Sequence, residues 1–76
     1  MQKRKLSIVF GKLLKEKRLK IGLSQELLAE KAEVHPTYIG LLERGKRSPS
    51  INVAARVAHA LGTRLSKMVS EAEQST

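Results

Sequence analysis

Between Glu43 and Ile51 the chain places Arg44, Lys46, Arg47, Ser48 and Ser50, with no carboxylate among them. Cationic and hydroxyl donors packed this closely hold anions, and a run of them suits the repeated phosphates of a nucleic acid backbone. Ser50 adds a second device. It stands before an apolar-periodic stretch, where it can cap a helix whose first N–H groups also attract an anion. The residues for bond-making chemistry are missing. No nucleophile comes with a base and an orienting group, no carboxylate pair shares one expected cleft, and no glycine-rich loop could cradle a phosphate. With no cysteine and only two histidines, a structural metal site cannot be completed. The expectation is a binding protein: no enzyme, no cofactor, no metal and no small-molecule substrate.

The charge balance agrees. Fifteen Lys and Arg face seven Asp and Glu, a net charge of +8. The excess is clustered. Residues 1–20 and 44–67 are basic, while 21–43 carry Glu26, Glu30, Glu33 and Glu43 against Lys31 alone. Clustered positive charge points to a polyanion. Phe10 and Tyr38 are the only aromatics, too few for stacking the bases of a single strand, which leaves another phosphate polymer or an anionic membrane surface as the partner that the charge attracts. No apolar run approaches the ~18 residues of a membrane span. The basic opening is followed by an apolar stretch that breaks at Gly11-Lys12, short of a signal-peptide core. No membrane partner and a cytoplasmic location are expected.

These side chains need a scaffold, and 76 residues allow one small domain. Gly22, Pro36, Gly45, Pro49 and Gly62 separate stretches rich in Leu, Ala, Lys and Glu, which favour helix. No stretch alternates as a strand would. Five helices are predicted. Helix 1 runs from about Ser7 to Lys20, with Phe10, Leu13, Leu14 and Ile21 inward. Helix 2 follows the Ser24 cap to about Lys31, with Leu28, Ala29 and Ala32 inward. Helix 3 runs from Pro36, after a His35 cap, to Gly45, with Ile39 and Leu42 inward. Helix 4 spans 51–61, with Ile51, Ala54, Val57, Ala58 and Leu61 as its stripe. Helix 5 spans 64–72, with Leu65, Met68 and Val69 apolar. The expected organisation is a flexible basic arm at 1–6, a folded domain at 7–72 and a frayed tail at 73–76. Lys3, Arg4 and Lys5 in the arm either reach a DNA minor groove or stay solvated.

Helices 2 and 3 are short and only about four residues, Ala32 to His35, separate them, so they must cross steeply over a small residue. Ala29 suits that place. The outer face of the second helix then stands out as a ridge, and the major groove of B-DNA accepts one α-helix. This is helix-turn-helix geometry.

The sequence resembles the phage repressor/Cro-type (XRE-like) helix-turn-helix family. The likeness rests on Ser24-Gln25-Glu26-Leu27-Leu28-Ala29-Glu30-Lys31-Ala32, then Val34, Tyr38-Ile39, Leu42 through Ser50, and Ala58-His59-Ala60-Leu61-Gly62. It spans about residues 10–69 and is nearest to small stand-alone regulators such as restriction–modification controller proteins. The resemblance implies an all-α, five-helix, lambda-repressor-like domain. It also implies a sequence-specific transcriptional regulator that binds a palindromic operator as a homodimer. A helix-turn-helix antitoxin or protein-interaction module is the alternative.

Roles follow by position. Arg18 and Glu43 match an internal salt bridge between helix 1 and the recognition helix. Gln25 matches a glutamine that bonds a DNA phosphate and braces that helix. Ser24 combines a cap with a possible phosphate contact. Lys46, Arg47, Ser48 and Ser50 form the phosphate clamp, joined by Lys17 and Lys12 of helix 1. Base reading falls to Pro36, Thr37 and Leu41, with Tyr38 and Arg44 beside them. Relatives usually carry amides or charges at the first three positions. Here Pro36 and Leu41 reach only apolar atoms such as the thymine methyl, Thr37 brings one hydroxyl, and Leu41 equally suits packing against helix 4. DNA shape must then carry part of the discrimination. Glu33 departs from the family's glycine in a turn that tends to need positive φ. Leu65, Met68 and Val69, with Val53 or Ile51, are the expected dimer interface, unless helix 5 only covers its own core.

Overall fold

The computed structural model describes residues 3–75. Among them the chain forms five helices and no strand: α1 Lys3–Lys20, α2 Gln25–Ala32, α3 Pro36–Glu43, α4 Ile51–Ala60 and α5 Leu65–Gln74. Three helices start on the side chains that the sequence offered. Ser24 Oγ accepts from the Leu27 N–H at 3.0 Å, His35 Nδ1 from the Thr37 N–H at 3.1 Å, and Ser50 Oγ from the Val53 N–H at 3.1 Å. A cap of this kind stabilises a helix by about 1 kcal/mol.

The first four helices share one way of stopping. The Leu23, Val34, Lys46 and Thr63 N–H groups reach back to the carbonyls of Arg18, Ala29, Leu41 and Ala58 at 2.9–3.0 Å. This closure places the preceding residue in the left-handed region. Three of the four residues so placed are glycines, and the fourth is Glu33, at φ 60° and ψ 44°. The positive φ expected between helices 2 and 3 is therefore present, on a residue whose Cβ opposes it. The strain costs ~1–2 kcal/mol, of which glycine's greater freedom in the unfolded chain takes back part. Glu33→Gly should accordingly raise stability by about 0.5–1 kcal/mol, read as a higher melting temperature by circular dichroism. A lower melting temperature would count against this assignment of strain.

Packing follows the punctuation. α2 lies against α3 and α4, α1 against α3 and α5, and α4 against α5. Leu14, Leu28, Ile39, Leu42, Val57 and Met68 are the largest fully enclosed side chains. Ala29 is wholly buried, as the steep α2–α3 crossing requires.

Several boundaries and stripes differ from the expectation. α1 begins at Lys3 rather than Ser7, so residues 3–6 belong to the helix and not to a free arm. Lys, Arg and Leu are strong helix formers, and that preference outweighs cations at a helix start. Met1 and Gln2, the rest of the expected arm, lie outside the described residues, as does Thr76 of the expected tail. Glu73 and Gln74 continue α5. Ile21 is 52% exposed: it follows the last residue of α1, and Arg18 takes the inward place instead. Ile51 is 75% exposed, because it is the first residue of α4 and stands beyond the core's edge. Ala72, unassigned in the sequence, is buried.

Candidate nucleic-acid interface

The turn between α2 and α3 sets the site. Ser24 opens α2, Glu33 closes it in the left-handed region, and His35 opens α3 two residues later. Pro36 stands in the first turn of α3, where its missing N–H has no partner to lose. The second helix of the pair is thus started and aimed by local hydrogen bonds.

A buried ionic network braces it from behind. Arg18 of α1 donates from Nε to Glu43 Oε2 at 2.6 Å and from Nη2 to Glu43 Oε1 at 3.1 Å. Its Nη1 donates to the Leu23 carbonyl at 2.9 Å, and Gln25 Nε2 donates to Glu43 Oε1 at 2.9 Å. Arg18 and Glu43 are only 7% and 8% exposed. The side-chain hydrogen bond to Glu43 raises the Arg18 pKa above its already high ordinary value, burial opposes this, and the Glu43 and Glu26 charges add to the rise. Arg18 therefore stays charged. One carboxylate at the end of α3 is tied to α1, and through Gln25 to the start of α2. Buried charges in water-poor surroundings hold only when paired and hydrogen-bonded, and these are.

On the outward side, Thr37 and Arg44 are exposed, and Pro36, Tyr38 and Leu41 are half-buried. Tyr38 packs its side chain against the core cluster, so its ring serves structure as well as the rim. Gly40 lies beneath other side chains. A Cβ built on it would stand 3.1 Å from Arg44 Nη1 and 3.8 Å from Gln25 Nε2. Lys46, Arg47, Ser48 and Ser50 follow, all exposed. Ser48 Oγ donates to Ser7 Oγ at 2.8 Å, which pins the loop to α1. The hydroxyls of Ser24 and Ser50 accept their cap bonds and keep their own protons for a further acceptor.

Other expected residues stand elsewhere. Lys17 Nζ lies 3.1 Å from Glu71 Oε1. It ties α1 to α5, and a phosphate contact by Lys17 would have to displace this partly exposed ion pair. Met68 is fully buried and belongs to the core cluster, because it stands on the inward face of α5 with Ala72; it has no surface to offer a second copy. Leu65 and Val69 keep partial exposure. With Leu6, Phe10, Pro49 and Ile51 they line an apolar cavity of about 230 Å³. Leu41 keeps partial exposure too.

The sequence reading missed three residues. Gly11 is buried where α1 meets α3, and a lone glycine inside a helical pattern was its only signal. Gly40 is buried beneath the Arg44 and Gln25 side chains, a place that its residue type alone does not announce. Arg56 Nε donates to the Ala32 carbonyl at 2.9 Å, closing the end of α2 from α4, and no sequence signal marked it.

Two short helices crossing over a buried alanine, the second braced from behind and facing outward beside exposed cations, define a helix-turn-helix. The chain belongs to the helix-turn-helix family, whose model matches residues 14–68, and the family's members here are transcriptional regulators. It is 48% identical over 50 residues to an uncharacterized HTH-type transcriptional regulator of Methanothermobacter thermautotrophicus, covering 66% of this chain and 72% of that one. It is 38% identical over 58 residues to control protein C.BamHI of Bacillus amyloliquefaciens, covering 75% and 72%. Its fold superposes on the clp gene regulator ClgR from C. glutamicum with TM-score 0.84 and 35% identity, over 93% of this chain and 92% of that one.

Proposed function

We propose that this chain is a sequence-specific regulator of transcription that binds double-stranded DNA as a homodimer on a palindromic operator. α3 enters the major groove, with Pro36, Thr37, Tyr38, Leu41 and Arg44 toward the bases. Ser24, Gln25, Lys46, Arg47, Ser48 and Ser50 hold the phosphates on either side. The observation that carries the reading is the division of labour on α3: Ile39, Leu42 and Glu43 are buried while Thr37 and Arg44 face solvent. A surface released from packing and rimmed by cations is what a groove-reading helix requires. Dimerisation uses Leu65, Val69 and the protruding Ile51. It places two ridges about one DNA turn, ~34 Å, apart, which supplies the specificity that one small domain lacks.

Arg47 gives the test. Arg47→Ala should weaken binding to every duplex alike, and should reduce the slope of log affinity against log salt by about 0.9. Footprinting and titration of the DNA upstream of the chain's own gene at two or more salt concentrations read both effects. If the unmodified protein prefers no duplex over random DNA, the regulator reading fails and a protein-interaction module replaces it.

A further inference from the structure

The reading face of α3 has a shortage. Pro36 and Leu41 cannot hydrogen-bond through their side chains, and Thr37 offers one hydroxyl. Gly40, between Thr37 and Leu41 on that side, has no side chain at all. The structure fills this place from another residue. Arg44 folds back by one helical turn, its Nη1 at 3.1 Å and its Cζ at 3.9 Å from where a Gly40 Cβ would stand, with Gln25 Nε2 at 3.8 Å. The guanidinium thereby lies on the flank of α3 at the level of residue 40. No carboxylate claims it. Glu43, its neighbour in sequence, is taken by Arg18 and Gln25, and Arg44 forms no ion pair among the described residues.

Resting on the DNA-binding reading above, we infer that Gly40 and Arg44 form one specificity element. Gly40 is the seat, and the guanidinium held over it reads a guanine in each half-site through O6 and N7. A planar fork of donors suits those two acceptors, and this pairing is the commonest specific contact in the major groove. Gly40 acts as a positioning residue. Its missing side chain lets an arginine one turn away add a fork of donors to a face that otherwise offers only the hydroxyls of Thr37 and Tyr38. The remaining cations of the loop stay on phosphates, where they set register without reading sequence.

The test starts from a randomised duplex pool enriched on the full-length protein. The selected sites should hold one guanine per half-site whose replacement by 7-deazaguanine weakens binding about 10-fold or more. Arg44→Met keeps the stem and the helix propensity and loses every donor, so it should bind the pool through the loop cations but no longer respond to 7-deazaguanine. Gly40→Met occupies the seat with a good helix former. It should show the same loss of guanine preference, with a melting temperature no lower than that of the unmodified protein. The inference is overturned if Arg44→Met keeps the full guanine preference. It is equally overturned if Arg44→Ala weakens all duplexes alike with a smaller salt slope, the mark of a phosphate contact. Failure of the unmodified protein to enrich any duplex would instead remove the DNA-binding reading itself, and this inference with it.

Discussion

Glu43→Ala should destabilise the protein by about 3–5 kcal/mol. The substitution leaves the Arg18 guanidinium buried with only the Leu23 carbonyl as partner, and frees the Gln25 amide as well. Breaking a buried pair from one side costs far more than the pair contributes, because the remaining charge stays out of water. A chain of this length has a total stability of roughly 4–11 kcal/mol, so the variant should be partly unfolded at 37 °C. Thermal denaturation followed by circular dichroism gives the measurement, at ~4–8 °C per kcal/mol for a domain of this size. The double substitution Arg18→Met with Glu43→Leu removes both charges and should recover most of the loss. A single-variant cost below about 1 kcal/mol would mean that the pair behaves like a solvated one. The sign with pH is fixed by the raised Arg18 pKa. A raised folded-state pKa contributes stability that is complete below the unfolded value and fades only as pH rises through the folded one. Both lie in strong alkali, so this contribution should hold across the neutral and mildly alkaline range.

Gly11→Ala should be nearly as damaging, by about 3 kcal/mol or more. Helix propensity alone predicts the opposite, since alanine gains ~1 kcal/mol over glycine inside a helix. The crossing of α1 and α3 decides the sign. A Cβ on Gly11 would overlap the Leu42 carbonyl oxygen and lie 3.0 Å from its carbon and 3.5 Å from Glu43 Cα. These are backbone atoms of a packed helix, and they cannot turn aside as a side chain would. α1 must therefore lift from α3. Because Arg18 sits two turns further along the same helix, the lift also strains its hold on Glu43. Urea denaturation should show a lower midpoint with little change in slope. Adding Gly11→Ala to a protein already lacking the Arg18–Glu43 pair should cost less than on the intact one, since the two sites are coupled. A midpoint at or above that of the unmodified protein would show that the crossing yields without penalty.

The two predictions differ in how much of them the sequence contained. The Arg18–Glu43 bridge was expected from family resemblance, and the pair is found buried and doubly hydrogen-bonded. The role of Gly11 was invisible, because what makes it necessary is a carbonyl thirty-one positions away, on another helix. The same contrast runs through the site. The caps at Ser24, His35 and Ser50 involve only neighbours in the chain, so residue type and position announce them. The left-handed Glu33 was legible only through the family resemblance, since a glutamate's own type argues against positive φ. Lys17 and Arg44 read alike as basic residues near a helix end, yet one is paired with Glu71 and the other lies back over Gly40. Their difference is made by what happens to stand opposite.

From its amino-acid order alone the chain determined five helices, where most of them begin and end, and which pair of them carries the outward ridge. Those features depend on backbone hydrogen bonds and apolar spacing within a few residues of each position. Tertiary structure decided which apolar residues are truly enclosed: Met68 inside, Ile51 and Ile21 out. It also decided how closely α1 may lie on α3, and where the guanidinium of Arg44 comes to rest. Each of those depends on a neighbour brought up by packing, and the range of a helical repeat is too short to name it.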